Sequence, residues 1–182
     1  MHNKGVKMKL LRNIVIILCG LMLMKTMYAA DIDAAPTVKV LMYNTAAKGR
    51  GSFVGSINIQ ESANGLMFKL HLFGLTPGEH GFHLHQNPSC AANGMAAGGH
   101  FDPKNTNKHL GPYGNGHLGD LPVILVAADG TATQTITAPH LHSLSDIDGL
   151  SLMIHEDGDN YSDTPKSLGG GGGRMVCGLI PA

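Results

Sequence analysis

Apolar and polar residues alternate along much of the chain, most clearly between residues 66 and 72, where every second residue is Leu or Phe. In an extended chain such residues share one face, so the alternation predicts a β-strand with one buried side. Seven further segments show this alternation or a short apolar run, and turn-forming pairs such as Asn64-Gly65 and Asp129-Gly130 separate several of them. The eight predicted strands are residues 37–43, 52–60, 66–73, 80–85, 121–127, 131–137, 150–155 and 174–180.

Two long segments between these strands are rich in glycine and have no strand pattern. We call residues 86–120 the first long loop and residues 156–173 the second long loop. Irregular segments of this length are uncommon in a compact domain unless they carry function. Because no segment beyond residue 36 shows a sustained helical period, we predict an all-β fold, with eight antiparallel strands in a sandwich or flattened barrel and two long functional loops.

The composition agrees with a single sheet-rich domain. A chain of 182 residues is long enough for one hydrophobic core, and 43% apolar residues exclude an acidic disordered chain. Only 14% of the residues are charged and 25 are glycine, which disfavours a coiled coil or helical bundle, since helix surfaces are usually rich in Glu, Lys and Arg.

The first 30 residues have the pattern of a secretory signal peptide. They contain five basic residues and no acidic ones, an apolar run at residues 14–24, and small residues at Ala29 and Ala30. The run is short for a bilayer span, which disfavours the alternative of a retained anchoring helix. We therefore expect residues 1–30 to be cleaved, leaving residues 31–182 as one mature domain with no stable membrane association.

Cleavage would change both the charge and the cysteine content of the domain. It removes five of the 13 basic residues and none of the 13 acidic ones, which leaves a formal net charge of about −5 and no basic surface for nucleic acid. It also removes Cys19, so Cys90 and Cys177 remain in an oxidising compartment and are expected to form a disulfide. Closing so long a loop stabilises a fold by about 4–5 kcal/mol in the chain-entropy account.

Two histidines in a predicted strand form the first candidate site. His83 and His85 are two residues apart, so their rings point to the same side of an extended chain. With His155, which ends another predicted strand, they would form an all-imidazole site with room for an exogenous ligand. Such a donor set suits copper.

The first long loop carries a second candidate site, composed of three histidines and one aspartate. These residues are His100, His109, His117 and Asp120. Three nitrogens and one oxygen without a thiolate are typical of a closed, structural zinc site. The same His-x-His spacing recurs at His140 and His142, but no carboxylate or further histidine is close to it in the sequence, and we interpret it as a polar loop.

The chain resembles the secreted bacterial branch of the copper,zinc superoxide dismutases in six motifs that stand in the family's order. The motifs are Gly81-Phe82-His83-Leu84-His85, Gly99-His100-Phe101-Asp102-Pro103, Lys108-His109, His117-Leu118-Gly119-Asp120, the strand end at His155, and Gly173-Arg174-Met175-Val176-Cys177-Gly178. The resemblance extends over residues 37–180. It implies a Greek-key β-fold and the conversion of two superoxide anions to oxygen and hydrogen peroxide by Cu(II)/Cu(I) cycling.

The resemblance also implies a role for each matching residue. The copper ligands would be His83, His85, His100 and His155, and the zinc ligands His100, His109, His117 and Asp120, with one ion of each metal per subunit. His100 would bridge the two metals and carry a proton, and Arg174 would guide superoxide to copper. Asp159 would accept hydrogen bonds from His83 and His109, and Cys90 would pair with Cys177.

A protein of another class remains as the alternative. A non-catalytic periplasmic protein that buffers copper and zinc, or a chaperone-like domain of this fold, could keep the zinc ligands while lacking a copper ligand or Arg174. None of these residues is missing here. The signal peptide predicts a periplasmic location, and the sequence is compatible with either a monomer or a homodimer.

Overall fold

The computed structural model describes residues 36–182, which contain nine β-strands and no α-helix. The strands are β1 Thr37–Ala46, β2 Gly49–Gln60, β3 Leu66–Leu72, β4 Gly78–His80, β5 Phe82–His85, β6 Ile124–Val126, β7 Thr135–Ala138, β8 Ser151–His155 and β9 Arg174–Leu179. Three short 3-10 helices also occur, at Met95–Ala97, Leu144–Asp146 and Leu168–Gly170. Within residues 36–182 no helix has the length and apolar character needed to cross a membrane. The predicted signal peptide, residues 1–30, lies outside the described residues.

All strand pairs are antiparallel, which confirms the predicted all-β antiparallel fold. A seven-stranded sheet has the order β5-β8-β9-β1-β2-β3-β7, and β4 pairs with β6 in a separate two-stranded sheet. The prediction of eight strands is wrong by one, because the segment 80–85 divides at Gly81. On either side of this residue the chain pairs with different partners, β4 with β6 and β5 with β8.

The hydrophobic core follows the alternation seen in the sequence. Leu66, Phe68, Leu70 and Leu72 of β3 are buried, whereas Lys69 and His71 between them are exposed. In β5 all four residues are buried, because Phe82 and Leu84 enter the core while the face bearing His83 and His85 is covered as well. A strand buried on both faces places two polar rings inside the protein, and these rings require partners.

The first long loop is fastened to β9 at two places. Cys90 forms a disulfide with Cys177, with 5.8 Å between their Cα atoms, as the cysteine count predicts. The guanidinium of Arg174 donates hydrogen bonds to the carbonyl oxygens of Gly94 at 2.7 Å and Gly98 at 2.6 Å. These covalent and polar links give the glycine-rich loop an order that packing alone does not supply.

Candidate metal centre

Four imidazole rings from three parts of the chain converge beside β5. His83 and His85 share one face of this strand, and the antiparallel neighbour β8 ends at His155, whose ring centroid is 4.9 Å from that of His83. The first long loop adds His100, which bridges to His85 through its backbone and stacks on His83 with 4.0 Å between ring centroids. One nitrogen from each of the four buried residues lies within 4.8 Å of the others.

A carboxylate lies at the centre of the second group. The Oδ1 atom of Asp120 is 2.9 Å from Nδ1 of His100 and 3.4 Å from Nδ1 of His117, and its Oδ2 atom is 3.0 Å from Nδ1 of His109. All three imidazoles therefore turn the same ring nitrogen toward one aspartate. The structure thus brings together the four residues that the sequence suggests for zinc.

His83 lies close to this second group as well. Donor atoms of His83, His100, His109 and Asp120 all lie within 4.8 Å of one another, so His83 reaches both groups, whereas His117 lies at the outer edge of the second. The Nε2 atom of His83 is engaged by Asp159 at 2.7 Å, which leaves only Nδ1 for a metal. One nitrogen binds one ion, so His83 serves a single group.

Asp159 accepts hydrogen bonds from one histidine of each group, His83 and His109. Its Oδ2 accepts a hydrogen bond from Nε2 of His83 at 2.7 Å, and its Oδ1 accepts from Nε2 of His109 at 2.8 Å and from the backbone N–H of Tyr161 at 2.7 Å. A carboxylate that accepts from a ring nitrogen fixes the tautomer and the orientation of that ring. Asp159 therefore leaves Nδ1 of both histidines available to a metal.

Backbone carbonyls orient two of the other rings in the same way. The Nδ1–H of His85 donates to the oxygen of Gly98 at 3.0 Å, and Nδ1 of His155 lies 3.5 Å from the oxygen of Gly172. A carbonyl oxygen can only accept, so these contacts place the proton on Nδ1. In both residues Nε2 is left with its lone pair.

The nitrogens left free in this way have no hydrogen-bond partner although they are buried. The buried side-chain atoms without a hydrogen bond within residues 36–182 are Nδ1 of His83, Nε2 of His85, Nδ1 of His109, Nδ1 of His117, Oδ2 of Asp120 and Nε2 of His155. Buried polar atoms are nearly always satisfied in native proteins, so six such atoms in one place indicate missing partners. All six belong to the two groups, and imidazole and carboxylate donors fit copper and zinc ions.

The protonation states of His83, His155 and Asp120 also favour metal binding. Burial, followed by the charge of His100, lowers the pKa of His83 to about 3 and of His155 to about 4, so both rings are neutral near pH 7. Burial opposes ionisation of Asp120, but the adjacent imidazoles of His100 and His109 outweigh it and hold the pKa of this carboxyl well below its usual range. Neutral imidazoles and an ionised carboxylate are the forms that bind metal ions.

An open cavity of about 370 Å³ gives access to the first group. His100 and His155 line its inner end, and Arg174, Met95 and Lys166 line its rim. Arg174 therefore lines the same cavity as His100 and His155. The two long loops contain three lysines, Lys104, Lys108 and Lys166. Lys166 lines this cavity, and Lys104 lines a separate one beside His117.

Some residues that hold the site were not foreseen from the sequence. Asp163 accepts a hydrogen bond from the backbone N–H of His109 at 2.9 Å, and the carbonyls of Gly94 and Gly98 fix Arg174. Asp163 lies 54 positions from His109 in the sequence. Every residue has a backbone carbonyl, so residue types do not indicate which carbonyls accept a hydrogen bond. No local pattern signals such contacts.

Comparison with known proteins identifies the family. The family model for copper/zinc superoxide dismutase matches residues 53–180. The chain is 51% identical over 154 residues to the superoxide dismutase [Cu-Zn] of Brucella abortus, which covers 80% of this chain and 89% of the relative. It is 53% identical over 156 residues to superoxide dismutase [Cu-Zn] 1 of Salmonella typhimurium, covering 81% and 88%.

Solved structures agree with these sequence relatives. The Cu/Zn superoxide dismutase from Brucella abortus matches with a TM-score of 0.77 and 50% identity, over 80% of this chain and 99% of that one. The monomeric copper, zinc superoxide dismutase from Salmonella enterica matches with a TM-score of 0.72 and 52% identity, over the same shares. The non-catalytic alternative is thus not favoured, and the chain belongs to the copper/zinc superoxide dismutase family, which consists of oxidoreductases with copper and zinc as cofactors.

Proposed function

We propose that this superoxide dismutase divides its two groups of side chains between one copper ion and one zinc ion. Copper is held by four imidazoles, those of His83, His85, His100 and His155. Zinc is held by His100, His109, His117 and Asp120. The observation that carries this assignment is the set of buried atoms without hydrogen bonds, because each proposed ligand other than His100 contributes one of them.

His100 belongs to both sets. Its Nδ1 faces Asp120 at 2.9 Å, so Nε2 is the atom that remains for the group of His83, His85 and His155. Copper, when bound, supplies the one-electron couple that superoxide dismutation requires, and zinc supplies a fixed positive charge. His100 takes up a proton from solvent at Nε2 in the first half-reaction and gives it, in the second, to the dioxygen unit that becomes hydrogen peroxide. The second proton comes from solvent through the open cavity.

Arg174 binds and orients the substrate anion. The carbonyls of Gly94 and Gly98 hold two of its nitrogens, so the guanidinium is fixed at the rim of the cavity that ends at His100 and His155. A fixed cation at this point attracts a small anion, and its planar group of N–H donors suits a molecule with two oxygen atoms. Lys166 adds a second positive charge to the rim.

The experiment that tests the ligand assignment is His155→Ala, with metal content and superoxide decay measured on the same preparation. We expect copper and activity to be lost while zinc is retained, because His155 belongs to the copper set alone. The exposed His71→Ala is the matched control and keeps both metals and the activity. Equal loss of zinc and copper in His155→Ala would contradict the assignment.

We infer further that the mature enzyme works in the periplasm as a monomer. The secretory pattern of residues 1–30 and the disulfide between Cys90 and Cys177 support an exported, oxidised protein. The relative from Salmonella enterica, at 52% identity, is described as monomeric, which supports this state over the homodimer. Cell fractionation followed by sedimentation of the exported protein tests both points.

A further inference from the structure

The chain contains a second His-x-His pair that the metal centre does not use. His140 and His142 lie on either side of Leu141, in the connection between β7 and β8. Both residues are exposed, and within the described part of the chain neither ring makes a hydrogen bond or an ion pair. Their nitrogens are therefore available to an incoming ligand.

The backbone that carries this pair is firmly anchored. Leu141 is fully buried, and its carbonyl oxygen accepts a hydrogen bond from the backbone N–H of Leu66 at 2.7 Å. The carboxylate of Asp146 accepts from the backbone N–H of His142 at 3.1 Å. The backbone of this loop is therefore fixed, and only the side chains of His140 and His142 can rotate.

The fold places this pair beside the proposed zinc ligands. A cavity of about 310 Å³ is lined by His140, His142 and His117, with Asp102 and Lys104 at its wall. His117 turns Nδ1 inward to Asp120 and is partly exposed, so one ring separates the cavity from the second group of side chains. His117 and His140 are more than twenty residues apart in the sequence, so the sequence does not indicate that they line one cavity.

We propose that His140 and His142 form a surface capture site for a divalent cation of the zinc type, from which the ion passes by His117 to the zinc ligands. Imidazole nitrogens are preferred zinc donors, and Asp102 adds a carboxylate at the wall. The two rings do not form a closed set of donor atoms as they stand, and Lys104 adds a positive charge. The open set of donor atoms and the nearby positive charge of Lys104 both lower the affinity of the site for a cation. A low affinity suits a site that captures an ion and releases it again.

The binding part of this proposal is tested on the enzyme loaded with copper and zinc. Equilibrium dialysis against Zn²⁺ should show one additional equivalent bound to the unmodified enzyme, and the double variant H140Q/H142Q should lose it. The exposed His71→Gln is the matched control and should keep it. The site is overturned if no additional zinc binds, if the double variant retains it, or if the control loses it as well.

The capture role, unlike the binding, rests on the proposed assignment of His117 to zinc. It is tested by mixing zinc-depleted enzyme with one equivalent of Zn²⁺ and following zinc uptake against time. We expect slower uptake by H140Q/H142Q with the same final zinc content, and an unchanged rate would overturn the capture role. A final zinc content that is low even in the unmodified enzyme would instead count against the zinc ligands, so the two failures are distinguishable.

Discussion

At the scale of single residues, four rings in the metal centre, those of His83, His85, His109 and His155, have one nitrogen held by the protein and one left for a metal. Asp159 does this for His83 and His109, and the carbonyls of Gly98 and Gly172 do it for His85 and His155. The rings are therefore oriented by the folded chain before any ion arrives. Such outer partners commonly affect metal affinity by about 10–100-fold.

The first prediction concerns Asp159→Asn. An amide has one acceptor oxygen where the carboxylate has two, so either His83 or His109 loses its partner. We expect zinc affinity to fall by about 10–100-fold, as measured by competition with a chromophoric chelator. Asp148→Asn, at an exposed position, is the control and should bind zinc as the unmodified enzyme does. Unchanged affinity in Asp159→Asn would show that the bridging carboxylate has no part in holding zinc.

The second prediction concerns Arg174→Lys. Lysine keeps the positive charge but loses the planar group that donates to both Gly94 and Gly98. We expect copper and zinc to be retained, while the second-order rate with superoxide falls about tenfold at low ionic strength. Pulse radiolysis at several salt concentrations measures this rate. A lysine variant as fast as the unmodified enzyme would mean that charge alone, without a fixed orientation, is sufficient.

The sequence predicts the position of individual side chains well where local geometry decides. The spacing of His83 and His85 places both on one face of β5, as an extended chain requires. The contact of Asp159 with His83 spans 76 positions, and only the family resemblance pointed to it. Contacts between distant segments depend on the tertiary fold, which alternation of residue types does not encode.

At the scale of elements, the second long loop is shaped around Asp159. Gly169 has a φ of +71° and packs so closely against this residue that an added Cβ would overlap Oδ1 of Asp159 and lie 2.8 Å from Nε2 of His109. The adjacent Gly170 has a similar φ of +76°, but its nearest neighbour is the flexible side chain of Lys166 at 3.4 Å. Two neighbouring glycines thus share one backbone requirement but differ in their contacts.

The third prediction uses this difference. Gly169→Ala and Gly170→Ala both place an alanine in the left-handed region, and each should lower the free energy of unfolding by about 1–2 kcal/mol. Only Gly169→Ala should also weaken zinc binding, because its methyl group displaces Asp159. Urea denaturation gives the stability, and chelator competition gives the affinity. If both variants weaken zinc binding equally, backbone strain rather than contact with Asp159 is the cause.

The sequence predicts the strands better than the points at which they change partner. The segment 80–85 has one continuous pattern, yet it divides at Gly81 because His80 and Phe82 pair with different strands. Similarly, the segment 131–137 contacts β3 first through an isolated bridge between Ala132 and Leu72 and forms a continuous ladder with it only from Thr135. Pairing of this kind is decided by neighbours that are remote in the sequence.

At the scale of the whole molecule, the buried histidines link stability to pH. The fourth prediction is that the enzyme stripped of metals is most stable near pH 6.5. His83 and His155 have a pKa of about 3 and about 4 in the folded protein, so between pH 6.5 and 4 the unfolded chain binds more protons, and stability falls as pH falls.

The alkaline side of this optimum is set by His109. Burial lowers its pKa, but the adjacent carboxylates of Asp120 and Asp159 outweigh burial and raise it to about 9. The stabilisation from this imidazolium is complete below pH 6.5 and is lost as pH rises through 9. Urea midpoints of chelator-treated protein, measured between pH 4.5 and 9.5, check both limbs. A midpoint that does not change between pH 6.5 and 5 would contradict the acid limb.

Among properties of the whole molecule, the fold class, the family and the disulfide could be predicted from the sequence. The order of strands in the seven-stranded sheet and the cavity that joins His117 to His140 and His142 could not. Both depend on which long-range pairings form, and many strand orders are compatible with one pattern of alternation.

The first long loop is attached to β9 by the Cys90–Cys177 disulfide and by the hydrogen bonds of Arg174, so these attachments form only after β9 has been synthesised. All the proposed metal ligands precede β9 in the chain, so a polypeptide emerging from its amino end exposes every ligand before the strand that closes the loop exists. Until Arg174 and Cys177 have been synthesised, the loop that carries His100 lacks its hydrogen bonds and its disulfide to β9. The loop that carries His100 therefore gains its final anchors only when β9 joins the sheet.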